Sequence, residues 1–249
     1  MNYMIAVTGK GGVGKTTFSS LVVKNLMNAG KTPVLAIDAD PNSCLDAALG
    51  VKITNTVGRA REDVKQEGAS PNISTKELLQ IKLNESLIEA NGFDLIAMGR
   101  PEGAGCYCYA NNVLKSVIGE IAEQYPYVVL DNEAGLENLS RRIVQKVNMM
   151  CLVSDSSNAG LETLKRLYEL AVEMEIKYDK LALIVNRVRN DRLPAKLEEI
   201  KTFTKADFIV ALPDNDEIAE FAETSRSFLE LPDDNAVNVK VREFVRESL

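Results

Sequence analysis

The chain contains no histidine and no tryptophan in 249 residues. Without an imidazole there is no histidine general base, and a metal ion must be held by thiolate or oxygen. Cysteine is scarce as well: Cys44, Cys106, Cys108 and Cys151. No leader pattern is visible, since Met1-Asn2-Tyr3-Met4 runs directly into an apolar segment. Reduced thiols or metal ligands are therefore expected rather than disulfides, and the expected location is cytoplasmic. No apolar run approaches the roughly 18 residues of a membrane span. Excess positive charge is missing too. The net charge is −7, and the clusters Lys10 to Lys15 and Arg187 to Arg192 are too small to neutralise a phosphate backbone. Neither nucleic acid nor membrane is an expected partner. No linker-like stretch, low-complexity segment or internal repeat divides the sequence, so one domain over 1–249 is expected. A domain of that length buries roughly three quarters of its unfolded surface, and its stability does not depend on disulfides.

What is present is a regular alternation. Short apolar runs at 3–8, 33–37, 93–98, 127–130, 149–154, 181–185 and 208–212 read as buried strands. Amphipathic or capped stretches at 15–29, 42–49, 111–124, 136–147, 161–175, 194–203, 215–222 and 237–247 read as helices. Residues 52–90 are polar, with helical patches at 59–67 and 75–89, and read as an excursion outside the main sheet. This pattern predicts an α/β fold: a doubly wound, mostly parallel sheet with helices on both faces.

Between the first strand and first helix lies Gly9-Lys10-Gly11-Gly12-Val13-Gly14-Lys15-Thr16-Thr17. Gly9-x-x-x-x-Gly14-Lys15-Thr16 is the P-loop (Walker A) pattern in its required strand-to-helix context. Glycines let successive N–H groups turn inward onto phosphate oxygens, and the helix N-terminus adds partial positive charge. Lys15 is expected to reach the β and γ phosphates, the Thr16 hydroxyl to ligate Mg²⁺, and Gly11, Gly12, Val13, Gly14 and Thr17 to line the nucleotide. Asp38 and Asp40 stand at the carboxyl end of the second strand, where open α/β sheets bind ligands. Asp131 closes the apolar run 127–130 as a Walker B aspartate does.

With Lys10 included, the loop resembles the deviant Walker A of the ParA/MinD/nitrogenase-iron-protein superfamily. That resemblance implies that Lys10 crosses a dimer interface to the partner's nucleotide, acting as an arginine finger does. It implies that Asp38 holds a Mg²⁺-bound water and Asp40 orients the attacking water. Glu133-Ala134-Gly135 resembles switch II, where Gly135 offers its N–H to the γ-phosphate; Glu133 either joins the chemistry or caps the following helix. Asn186 occupies the place of an adenine-reading amide, and the chain near Pro213 closes over the base.

Cys106-Tyr107-Cys108 follows a glycine-rich stretch. Two thiols one residue apart form an unstrained mutual disulfide only with difficulty, and two are too few for a four-coordinate thiolate site. A two-fold dimer would assemble four; the alternative is a pair of ordinary thiols. Cys151, within an apolar strand, reads as core, and Cys44 stays open.

Taken with these cysteines, the segments Asp38 to Cys44, Cys106 to Asn112 and Asp131 to Glu137 resemble the CooC-type ATPases over essentially the whole chain. That family implies an ATP-dependent and metal-dependent homodimer. It would bind ATP or ADP with Mg²⁺, carry Ni²⁺ or Zn²⁺ at its interface, and serve nickel carbon monoxide dehydrogenase or acetyl-CoA synthase as client. Two alternatives remain at the level of sequence. An iron-sulfur-carrying ATPase related to nitrogenase iron protein would need a cysteine shortly after Asp131, and none occurs up to Met150. A MinD/ParA-like positioning ATPase would need a basic membrane helix or a DNA-binding surface, and the tail from Asn235 to Leu249 mixes both charge signs.

Overall fold

Eight strands form one sheet in the order β3-β4-β2-β5-β1-β6-β7-β8. They are β1 (Tyr3–Gly9), β2 (Val34–Asp38), β3 (Ile88–Glu89), β4 (Phe93–Ala97), β5 (Tyr127–Ala134), β6 (Lys146–Asp155), β7 (Lys177–Val188) and β8 (Phe208–Pro213). The structure is a computed structural model that describes residues 2–67, 73–99, 118–136, 146–189, 194 and 196–249. All strand pairs are parallel except β3 with β4.

The pleat divides the core in two. On β1, Met4 and Ala6 join one apolar cluster while Ile5 and Val7 join the other. On β7, Leu181, Leu183 and Val185 face the first cluster and Ala182 and Ile184 the second. Period-two burial on both faces is what makes these runs apolar throughout. Helices α3 (Val57–Glu67), α4 (Thr75–Glu85), α5 (Asn158–Glu173) and α6 (Lys196–Thr204) contribute to the first face, with helical residues at 118–122. Helices α1 (Lys15–Asn28), α2 (Leu45–Leu49), α7 (Asp216–Glu223) and α8 (Ala236–Ser248) cover the second.

Helix α1 carries the phosphate loop at its N-terminus and is buried along most of its length. Its far side is held by the end of the chain. Lys24 Nζ donates to the Leu231 carbonyl and pairs with Asp233 at 3.3 Å. Asn25 Nδ2 donates to Asn238 Oδ1 at 2.8 Å. The Phe18 and Phe244 rings lie 5.8 Å apart, and the Tyr3 hydroxyl donates to the Ser248 carbonyl at 2.8 Å.

The expected alternation of strands and helices is present, with differences where polarity misleads. Residues 75–89 are not one helix. A capping box between Ser74 and Glu77 starts α4, the helix stops at Glu85, and Ile88–Glu89 turns back to pair antiparallel with β4. The excursion at 52–90 therefore supplies an edge strand, and Val57, Ala60, Val64, Leu79 and Leu83 cover one face of the sheet. Lys146 and Val147, expected at a helix end, open β6. Of the expected helices, 111–117 and 137–145 lie outside the described residues. Among the described residues, no helix is long and apolar enough to cross a membrane.

Candidate active site

The carboxyl ends of β1, β2, β5, β6 and β7 gather the predicted residues. The loop leaves β1 at Gly9, where a Cβ would stand 2.3 Å from the Val153 carbonyl oxygen of β6. Glycine there lets two central strands close up beneath the loop. Gly9→Ala forces backbone against backbone and is expected to cost about 2 kcal/mol. The readout is a lower denaturation midpoint with an unchanged slope; an unmoved midpoint would show that the strands part freely. The loop ends at Gly14, the N-cap of α1, with φ +96°. A Cβ at Gly11 or Gly12 would meet nothing within 4 Å, so the outer side of the loop faces open space.

Lys15 is the buried lysine of the loop, 8% exposed, and its Nζ donates to the Lys10 carbonyl at 3.2 Å. Lys10 has an exposed side chain at the rim. Its charge and that of Arg187 help hold the Asp155 carboxyl below its ordinary value, after the larger effect of hydrogen bonding from Ser157. Thr17 is half-buried, and its carbonyl accepts from Ser20 Oγ at 2.9 Å.

Asp131 is 2% exposed. Thr16 Oγ1 donates to its Oδ2 at 2.7 Å and Ser19 Oγ to its Oδ1 at 3.0 Å. Burial pushes its pKa up to about 7 despite these bonds, and the Asp38 charge adds to the rise. Asp38 is its register partner on β2. Its oxygens accept from the Leu45 and Asp40 N–H groups at 3.0 Å each, yet burial raises its pKa to about 6. Asp40 is half-buried and accepts from the Asn42 N–H at 2.8 Å, a turn made by an Asp side chain on its own backbone.

Two buried carboxylates, both resisting ionisation, with the Thr16 and Ser19 hydroxyls on one of them, are a donor set that gains from a cation. Among the described residues no group of three or more acidic or thiol side chains forms a metal cluster. Mg²⁺ keeps several waters and takes few protein ligands alongside phosphates. The inward turn of the loop and the open space outside Gly11 and Gly12 suit a polyphosphate. The residues present therefore fit a magnesium nucleotide.

The remaining predicted residues sit at the same end of the sheet. The Gly135 N–H donates to the Gly9 carbonyl at 3.2 Å, and Thr8 Oγ1 donates to the Gly135 carbonyl. Contact of that N–H with a phosphate requires leaving Gly9. Asn186 Nδ2 donates to the Val13 carbonyl at 2.9 Å, which brings β7 onto the loop. Pro213 ends β8 opposite Val188, where Arg189 and Asp214 pair at 3.3 Å. Cys151 is fully buried and its thiol pKa is raised by burial, as a core residue's is. Cys44 is exposed. Cys106 and Cys108 lie outside the described residues.

Sequence reasoning missed Ser19 and Asn132. Ser19 lies one helical turn after Thr16, on the face that meets Asp131, and the i, i+3 spacing of the two hydroxyls was the available signal. Asn132 is 2% exposed and donates to the Val7 carbonyl at 3.0 Å. It sits where the β1–β5 register shifts.

The glycine loop on a buried helix, the Thr16–Asp131 contact and the parallel sheet define a P-loop nucleotide hydrolase. The sequence family described as CobQ/CobB/MinD/ParA nucleotide binding domain matches residues 4–228. The chain is 42% identical over 251 residues to an uncharacterized ATP-binding protein of Methanocaldococcus jannaschii, covering 98% of this chain and 97% of that one. It is 31% identical over 189 residues to the carbon monoxide dehydrogenase accessory protein CooC of Rhodospirillum rubrum, covering 70% of each. The solved ParA family ATPase from Chlorobium tepidum matches with a TM-score of 0.74 at 17% identity, over 98% of both chains, a likeness of fold. The protein belongs to the CobQ/CobB/MinD/ParA family and is a nucleotide-binding ATPase of the MinD/ParA type.

Proposed function

We propose that this chain is a CooC-type metallochaperone: one ATPase domain that dimerises with ATP and loads nickel into carbon monoxide dehydrogenase or acetyl-CoA synthase. What carries the reading is the 31% likeness to a carbon monoxide dehydrogenase accessory protein in a chain that has a Cys-x-Cys pair and no histidine. Nickel, or zinc in its place, is the cargo, held by Cys106 and Cys108 of both subunits as four thiolates.

The chain's own residues act as follows. Lys15 leaves the Lys10 carbonyl for the β and γ phosphates, and the loop N–H groups with the α1 N-terminus take the remaining phosphate charge. Thr16 and Asp131 would hold Mg²⁺, and Asp38 would accept from a water on it. Bound Mg²⁺ supplies neutralisation of phosphate charge. Asp40 orients the attacking water, and Lys10 delivers a cation to the partner's nucleotide. Gly135 senses the γ-phosphate by exchanging Gly9 for it, and Asn186 with the chain at Pro213 receives adenine.

Metal analysis of the purified chain with and without a non-hydrolysable ATP analogue, alongside light scattering, tests this reading. One Ni²⁺ or Zn²⁺ per two chains is expected, with dimers favoured by analogue and metal. Cys106→Ser with Cys108→Ser should abolish that stoichiometric metal. Unchanged metal content in the double variant, or visible iron–sulfur absorbance in the wild type, would overturn the proposal.

A further inference from the structure

Asn132 carries an unmatched buried atom. The residue is 2% exposed and its Nδ2 donates to the Val7 carbonyl, but its Oδ1 has no partner among the described residues. A buried acceptor without a donor costs stability, and native structures hold few of them. A donor stands close by, engaged elsewhere. Thr8 is fully buried, and its hydroxyl donates to the Gly135 carbonyl.

The two side chains share a face. Thr8 follows Val7 and Asn132 follows Asp131, and Val7 and Asp131 are register partners on adjacent strands. Such strands lie about 4.8 Å apart. Ala6 and Leu130 pack in the first cluster, Val7 and Val129 in the second, so alternation turns both Thr8 and Asn132 to the first face. The next register pair is Gly9 with Ala134. Thr8 therefore stands opposite Asn132 and Glu133 together, as one residue faces two at a bulge.

Gly135 is fastened to this pair of strands through both of its backbone groups. Its N–H donates to the Gly9 carbonyl, and its carbonyl accepts from Thr8. Carrying the N–H to a γ-phosphate breaks both bonds. The N–H exchanges a neutral acceptor for a charged one, which is the stronger partner. The carbonyl belongs to a half-buried residue, within reach of water. The Thr8 hydroxyl is the group left stranded, since it has one proton to give and no solvent to give it to. Asn132 Oδ1 is the acceptor that this same move requires.

We propose that Thr8 and Asn132 are positioning residues for Gly135: as Gly135 transfers to the γ-phosphate, the Thr8 hydroxyl passes from the Gly135 carbonyl to Asn132 Oδ1. The proposal rests on the reading that Gly135 meets the γ-phosphate, and adds the exchange that releases it without stranding a buried proton. With ADP the hydroxyl stays on Gly135; with ATP it sits on Asn132. The pair thereby sets how strongly the site prefers ATP.

Isothermal titration of the full chain with ADP and with a non-hydrolysable ATP analogue, each with Mg²⁺, reads that preference as a ratio of affinities. Asn132→Ala removes the receiving acceptor and is expected to lower the analogue-to-ADP ratio by roughly 10-fold, with ADP affinity within about twofold of wild type. Thr8→Val removes the hydroxyl at nearly constant volume, so no proton is stranded in either state. Added to Asn132→Ala, it is expected to bring the ratio back to within about threefold of wild type, a rescue that two merely structural losses would not give. A wild-type ratio in Asn132→Ala, or no rescue in the double variant, refutes the exchange. Amide NMR of the wild type and of Thr8→Val reads the same event with Asn132 in place. On replacing ADP by the analogue, the Asn132 side-chain amide is expected to shift in the wild type and to stay in Thr8→Val. If the Gly135 backbone amide does not move in the wild type, the γ-phosphate reading fails. If it moves while the Asn132 side chain stays, the exchange alone fails.

Discussion

Lys10→Ala is expected to leave ADP affinity near the wild-type level and to lower ATP turnover by about 10³-fold or more. The two loop lysines have different surroundings. Lys15 is buried beneath the loop, and its Nζ already sits on the Lys10 carbonyl. Lys10 contributes that carbonyl to the loop while its side chain stands exposed at the rim. Alanine keeps the carbonyl, so the loop and its grip on phosphate persist. What disappears is an exposed cation, the one that the proposed dimer would bring to the partner's nucleotide. Groups that supply such a charge across an interface account for about 10³–10⁵ in rate. Single-turnover hydrolysis at saturating ATP, with ADP affinity measured in parallel, separates the two effects. Turnover within about threefold of wild type would mean that no lysine acts in trans. Mixing Lys10→Ala with an equal amount of Lys15→Ala supplies a second check. In the proposed dimer, a mixed pair would place one intact Lys10 opposite one intact nucleotide site, and part of the turnover should return.

Phe18→Ala is expected to remove about 3–5 kcal/mol of stability. Phe18 is 1% exposed, on the face of α1 turned toward α8. Its ring lies 5.8 Å from Phe244 at 44°, and Phe244 lies 5.8 Å from Phe208 at 85°. Three rings thus join α1, α8 and β8, each pair within the range where aromatic contact adds to burial. Truncation leaves a cavity among groups already fastened by Lys24, Asn25 and Tyr3, so collapse into it is limited. Domains are stable by only about 5–15 kcal/mol in total, and the loss should appear as a large fall in the urea midpoint. A loss below about 1 kcal/mol would show that α8 settles into the space.

Much of this arrangement was legible in the sequence, for a definite reason. The central strands are buried on both faces, so their apolar runs are continuous, and the glycine loop falls between a run and a helix. The gathering of Lys15, Thr16, Asp38 and Asp131 at one end of the sheet was legible because the P-loop pattern ties residue type to spacing. Other elements carry weaker signals. Ile88–Glu89 is two residues long, and its pairing with β4 comes from tertiary contact rather than propensity. The amino ends of β6 and β7 extend past the core as Lys146 opposite Lys177, joined by the Lys146–Asp179 pair at 2.6 Å, so no apolar pattern marks them. The Gly9 contact with Val153 and the Asn186 contact with Val13 depend on strand order, which a single sequence leaves open.

The fastening of α1 by residues 228–248 also orders events during synthesis. The first strand, the phosphate loop and α1 are made well before the groups that cover Lys24 and Asn25, which follow more than 200 residues later. A nascent chain still holding α8 inside the ribosome has every residue of the Walker motif and a bare flank on the helix that carries it. Chains of this size expose apolar surface until such late contacts form. The flank of the helix that carries the phosphate loop is therefore closed only once α8 has emerged.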